Sequence, residues 1–315
     1  MILSTSRRTD IPAFYSDWFL NRLREGEVLV PNPRNPFRLS RVQLSPETVD
    51  CIVFWTKNPK EMILKLDTIS AMGYDFYMQF TLTPYGKEVE EHLQDKEELI
   101  ATFQEIGAIL GPKRVIWRYD PVILTNQMDV AYHLKCFDRM ANLLQGSTNR
   151  CIFSFLDFYP RLEAPLRELG ALPIQEEEML EIGKWFSQIA QKYGIQLSTC
   201  CEAIDLSQFG ITQASCIDGD LIEELIGCSL QKRKDTGQRP GCGCMESVDI
   251  GTYDSCAHGC KYCYGVFSRE RARRNAESHD PNAPLLHGAI PEDAIITERP
   301  VKSLKDGQMD FFHLI

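Results

Sequence analysis

No apolar run in this sequence approaches the about 20 residues that a membrane-crossing helix needs, and no low-complexity tract or Gly/Ser-rich linker divides it. A basic surplus is also missing: 34 Lys and Arg stand against 44 Asp and Glu, a net charge of −10 over 315 residues. These absences argue against a helical membrane protein and against a broad, non-specific polynucleotide-binding face. They leave a local basic groove open. Arg7 and Arg8 form a twin arginine near the start, but Asp10, Pro12 and Asp17 interrupt any apolar segment after it. No export signal is read there, and the cytoplasm is the expected compartment. Disulfides are rare in that setting, so clustered cysteines read as metal ligands or catalytic groups. Three of the twelve, Cys51, Cys136 and Cys151, are scattered among apolar neighbours and read as small buried hydrophobes.

What is present is a rhythm of strand-like and helix-like runs. Apolar runs at 2–6, 51–56, 75–83, 114–120, 151–158 and 195–200 are bounded by turn residues, and the first five are each followed by a helical pattern. Short continuous apolar runs of this kind suit buried parallel strands. In the helix predicted over 176–194, Met179, Ile182, Phe186 and Ile189 keep one face apolar. Repeated βα units imply an α/β fold with a parallel sheet and right-handed crossovers, open or closed into a barrel. The expected organisation is βα units over 1–200, a Cys-rich insertion over 201–245, a last strand with its loop and helix over 246–276, and an extension over 277–315.

The strand ends are polar: "SRRTD", "WTKNP", "QFTLT", "WRYDP", "SFLD" and "STCCE". Loops are polar in general, but Lys57, Arg118 and Asp120 stand just at the exits of apolar strands, where parallel barrels keep their working residues. The run 246–254, "ESVDIGTYD", reads as one more strand and leads into "SCAHGCKYCYG". There Cys256, Cys260 and Cys263 offer three thiolates, one short of a closed tetrahedral site. Three thiolates can hold a [4Fe–4S] cluster by three corners and leave one iron open. A zinc site completed by His258 or a distant cysteine is the other reading. Zinc sites mostly draw on two Cys or Cys/His pairs, and one CxxxCxxC after a strand fits that poorly.

CxxxCxxC with an aromatic residue before the last cysteine resembles the signature of the radical S-adenosylmethionine superfamily. The resemblance implies that S-adenosylmethionine chelates the fourth iron and is cleaved to methionine and a 5′-deoxyadenosyl radical, with Tyr262 beside the adenine. In most of that superfamily the triplet follows the first barrel strand. If the ring is circularly permuted, 246–254 lies beside 2–6, and the loop order resembles the spore photoproduct lyase-like branch. That resemblance implies Asp10 at the cosubstrate's amine, Lys57 at its carboxylate, and Thr81 or Thr83 at its ribose or carboxylate. Nearly end to end, "SRRTDIPAFY", "VFWTKNP", "VIWRYDP", "CIDGD", "GCGC" and "DIGTYDSCAHGCKYCY" resemble a family called domain of unknown function 1848. The fold then expected is a circularly permuted radical-SAM-type (β/α) barrel of six or seven parallel strands with a Cys-rich insertion.

"STCCE", "ASCIDG" and "RPGCGCME" crowd Cys200, Cys201, Cys216, Cys242 and Cys244 into the insertion. Four thiolates make a closed site, and the family resemblance implies Cys200 rather than Cys201 beside Cys216, Cys242 and Cys244. A second [4Fe–4S] cluster or a structural zinc would serve. Arg269, Arg271, Arg273 and Arg274 follow the cluster loop on a predicted helix, either as a solvated face or as a phosphate-facing patch. The expected function is a radical S-adenosylmethionine oxidoreductase or lyase on an unidentified substrate, fed by a one-electron donor such as flavodoxin or ferredoxin. The alternatives are an iron–sulfur electron carrier or redox sensor that never cleaves S-adenosylmethionine, a nucleic-acid photoproduct repair enzyme, and a zinc-stabilised scaffold.

Overall fold

The computed structural model describes residues 1–306 except Pro240. The end of the expected C-terminal extension, 307–315, lies outside the described residues. The strands are β1 (Ile2–Thr5), β2 (Glu27–Asn32), β3 (Asn35–Gln43), β4 (Cys51–Thr56), β5 (Phe76–Thr81), β6 (Val115–Val122), β7 (Arg150–Phe155), β8 (Gln196–Thr199), β9 (Thr212–Gln213), β10 (Ser247–Asp249) and β11 (Ile295–Glu298). Eight of them form one sheet in the order β10-β1-β4-β5-β6-β7-β8-β9. Every pairing in it is parallel. Helices connect most of the strands, among them Lys96–Leu110, Val130–Leu144 and Glu176–Lys192. No helix among the described residues is long and apolar enough to cross a membrane.

Among the described residues the parallel sheet has eight strands rather than six or seven. The extra strand, β9, has two residues, both exposed, so no apolar run announces it. A second sheet, β11-β3-β2, was not anticipated either. Its β2–β3 hairpin is antiparallel, and its signal is the alternation in "EVLVPNPRNPFRLSRV" around a Pro/Asn turn. The strand expected over 246–254 pairs with β1 only through Ser247, Val248 and Asp249. It then leaves the sheet because the Asp249 carboxylate accepts from the Ser6 hydroxyl, from Arg7 N at 2.9 Å and from Gly251 N at 3.0 Å. The helix expected after β4 is also divided, into Lys60–Ile63 and Leu66–Ala71.

Side chains alternate along a strand, so each strand feeds two faces. Leu3, Ile52, Phe54, Met78, Phe80, Trp117, Tyr119 and Phe153 point outward into one core with the helices. Trp117, Phe137 and Phe186 stack there, with ring centroids 4.9 and 3.9 Å apart. Burying each such ring contributes about 1.5–3 kcal/mol. Ile2, Val53, Tyr77, Ile116 and Ile152 point to the other face and pack against Ile217, Leu221 and Ile222. The last two lie on the helix Gly219–Ile226, whose N-cap Asp218 accepts from Asp220 N and Leu221 N. The Cys-rich segment thus packs on the inner face of the sheet.

Candidate metal centre

Toward the carboxyl ends the inner register turns polar. Val53 is followed two residues on by Trp55 and then Lys57, Tyr77 by Gln79 and Thr81, Ile116 by Arg118 and Asp120, and Ile152 by Ser154. Trp55, Lys57, Thr81, Arg118, Asp120 and Ser154 line a cavity of about 550 Å³, together with Asp10, both groups of cysteines and Tyr262, while Gln79 is buried beneath it. A parallel sheet opens its ligand site at this end.

The cluster loop is fastened on all sides. Tyr15 donates its hydroxyl to the Ser255 carbonyl, His92 N donates to His258 O at 3.0 Å, and Lys261 N donates to Val89 O at 2.9 Å. Asp254, in a left-handed conformation (φ 53°), accepts from Phe267 N and Ser268 N and so turns the chain into the helix Arg269–Glu277. Gly265 lies where a Cβ would fall 2.6 Å from the Arg8 carbonyl oxygen, so only glycine allows the loop to meet the β1 exit this closely. Burial pushes the thiols of Cys256, Cys260 and Cys263 above their ordinary range. A cationic partner is therefore needed to hold them as thiolates.

Beside the triplet, Asp10 and Lys57 are already engaged. Asp10 Oδ1 accepts from Ala13 N and caps the helix Ile11–Phe14, while Oδ2 accepts from Lys57 N at 2.7 Å and meets His258 Nε2 at 2.7 Å. Lys57 Nζ donates to Glu90 Oε1 at 2.7 Å. Glu90 also accepts from Lys96, Thr83 Oγ1 and the Tyr262 hydroxyl. Burial would raise the Glu90 carboxyl, but Lys57 and Lys96 overcome it and hold it at about 2. Burial likewise opposes the charge on Lys57, yet Glu90 and Cys260 leave its pKa raised. Thr81 reaches the cavity, whereas Thr83 is fully buried and faces Glu90 instead. Glu90 and Ser154 were not singled out from the sequence: a lone glutamate in the acidic run "GKEVEEHL" carries no distinguishing signal.

The other cysteines reach the same cavity from three segments. Cys200 Sγ and Cys216 Sγ are 3.3 Å apart, and Cys244 Sγ accepts from Ile217 N at 3.4 Å. Arg118, stacked toward Trp55 and paired with Asp120, donates Nη1 to Cys216 Sγ at 2.9 Å. Arg7 packs over Trp55, and its Nη2 is buried with no hydrogen-bond partner. Cys201 and Cys242 also line the cavity, while Cys228 does not and turns to the Ser229 carbonyl. Among the described residues no three Cys, His, Asp or Glu side chains converge tightly enough to enclose a single metal ion. The triplet cysteines line the cavity, and a cubane cluster takes each thiolate on a different iron.

The basic helix is charge-paired: Arg269 with Glu91, Arg271 with Asp254, Arg273 with Glu277 and Arg274 with Glu270. That pairing is what a solvated face looks like.

Comparison with known proteins finds the family described as domain of unknown function (DUF1848), which matches residues 2–265. No curated protein matches the chain.

Proposed function

We propose that this chain, which belongs to the DUF1848 family, is a radical S-adenosylmethionine enzyme whose [4Fe–4S] cluster is held by Cys256, Cys260 and Cys263. The observation that carries the reading is the position of these three thiols. They sit at the carboxyl end of a parallel sheet, in a polar cavity, and among the described residues no group of three or more Cys, His, Asp or Glu closes around a metal ion. His258, the nearest candidate for a fourth ligand, has Nε2 bound to Asp10 and its ring against Phe14 at 4.6 Å. When bound, such a cluster supplies an open iron for the amine and carboxylate of S-adenosylmethionine and the electron that splits it to methionine and a 5′-deoxyadenosyl radical, which removes hydrogen from a substrate.

The chain's own part is to bind, orient and exclude water. Thr81, Tyr262 and Lys57 are the groups that would hold the cosubstrate, with Lys57 first having to share or leave Glu90. Asp10 acts as framework, fixing the Lys57 backbone and His258 at once. Because β10 pairs with β1, the cluster loop precedes the "SRRTD" and "WTKNP" loops around the sheet. This order supports a circularly permuted barrel of the radical S-adenosylmethionine type. A flavodoxin- or ferredoxin-like protein would deliver the electron.

The test is anaerobic reconstitution with iron and sulfide, chemical reduction, addition of S-adenosylmethionine and chromatography for 5′-deoxyadenosine. Product should form with the native chain and vanish in Cys260→Ala while the melting curve is kept. A reduced, four-iron sample that yields none overturns the proposal. That outcome would favour an iron–sulfur electron carrier or sensor, a reading to which the existing Lys57–Glu90 pair already lends support.

A further inference from the structure

We infer that Cys200, Cys216, Cys242 and Cys244 hold a second metal centre, a closed tetrathiolate site on the wall of the same cavity. This inference does not rest on the chemistry proposed for the triplet.

Three distant segments have been brought together with their backbones fixed. Cys200 N donates to Phe153 O at 2.9 Å at the end of β8. The Cys216 carbonyl takes two buried side chains from β5, Tyr77 Oη at 2.7 Å and Gln79 Nε2 at 2.8 Å. Met245 N donates to Ile217 O at 3.0 Å, which ties the Cys242–Cys244 stretch to the Cys216 turn. The glycine between those two cysteines has a steric cause. A Cβ on Gly243 would lie 2.6 Å from Ser215 Oγ, and that hydroxyl donates to Gly243 O at 2.9 Å. The Cys-Gly-Cys backbone can therefore lie flat against the residue before Cys216.

Two of the four sulfurs already stand side by side, although among the described residues no three side chains yet enclose a metal ion. Two thiolates on one tetrahedral metal with bonds of about 2.3 Å lie ~3.8 Å apart. The Cys200 and Cys216 sulfurs, at 3.3 Å, are somewhat closer than that and would part slightly to share a metal. Two guanidiniums complete the case. Arg118, 5% exposed, points Nη1 at Cys216 Sγ from 2.9 Å, and Arg7 Nη2 lies buried on the same cavity with no partner. Thiolates on a metal carry net negative charge, which Arg7 and Arg118 would offset beyond the Asp120 carboxylate that Arg118 already meets. Cys242 is partly buried against the hydrophobic cluster that holds Cys216 and Cys244, and metal binding there should couple to folding. Cys201 lines the cavity with a left-handed backbone (φ 59°) and is the spare thiol.

The experiment uses the full chain with Cys256, Cys260 and Cys263 all replaced by alanine, purified without oxygen, so that any metal left belongs to the second site. Mass spectrometry should find about one tetrahedral ion per chain, or iron with sulfide, held in thiolate coordination by X-ray absorption. Zinc identifies a mononuclear centre and iron with sulfide a cluster, and either supports the inference. Further replacement of Cys242 and Cys244 by serine should remove the metal, and Cys201→Ser should retain it. If the triple variant does not fold, the native chain decides: zinc, or iron beyond about four per chain, supports the site. Four irons with no zinc in a folded native sample, or a Cys200–Cys216 disulfide on thiol mapping of anaerobic protein, overturns it.

Discussion

Lys57 Nζ and Glu90 Oε1 are 2.7 Å apart, and Glu90 is 1% exposed. The same carboxylate is shared with Lys96, Thr83 and Tyr262. Removing one partner of a buried pair leaves the other charge uncompensated, at a cost of about 3–5 kcal/mol. Glu90→Ala should therefore lower the unfolding free energy by about that amount in urea titration. Glu90→Gln keeps the shape but loses the charge and one acceptor oxygen, since its amide nitrogen cannot accept from lysine, so it too should be destabilised. If both variants match the native midpoint, the pair does not hold the cavity wall.

Gly265 and the Arg8 carbonyl meet where a Cβ would be only 2.6 Å from the oxygen. Gly265→Ala must push backbone aside, because no flexible side-chain end is there to yield. Overpacking of this kind costs about 1–3 kcal/mol. On the proposed function, the displaced loop should also load less iron than the native chain on anaerobic reconstitution. Native stability together with native iron content in Gly265→Ala would show that the close approach is unimportant.

His133 lies fully buried on the helix Val130–Leu144. Its ring bridges the Tyr119 hydroxyl at 2.8 Å (Nδ1) and the Ile123 carbonyl at 2.9 Å (Nε2). Nε2–H donates to the carbonyl and Nδ1 accepts from tyrosine, a neutral tautomer with no room for a second proton. Burial lowers its pKa to about 4 from the ordinary 6.5. A depressed folded-state pKa contributes stability that is complete above the unfolded value and lost as pH falls through the window from 6.5 to about 4. Between pH 7.5 and 5 this group should cost about 2 kcal/mol of unfolding free energy. In His133→Gln that component of the pH slope should be absent. An unchanged slope in the variant would mean that other groups set the acid sensitivity.

The parallel βα frame was legible in the sequence because buried strands leave continuous apolar runs, and six of the eight sheet strands came from such runs. The Cys256–Cys263 loop was legible because a metal motif is local: its ligands sit within eight residues. The polar strand ends also marked Lys57, Arg118 and Asp120, since period-two alternation fixes which residues share a face. Strand β9 and the β2–β3 hairpin were missed, the first for its shortness and the second for its alternating, half-exposed pattern.

Other features only the tertiary structure could decide. Sequence spacing says nothing of which carboxylate meets which ammonium. Asp10 proved to be a brace for His258 and the Lys57 backbone, and Thr83 proved to face Glu90, a residue without any local signature. Cys200 and Cys216, sixteen residues apart, are brought to 3.3 Å by the pairing of β8 and the docking of the Cys216 turn on β5. The motif was written in the chain order. The company it keeps is set by long-range pairing, in which residues such as Met1 and Asp50, or Asp10 and His258, become neighbours because the folded core leaves them no other place.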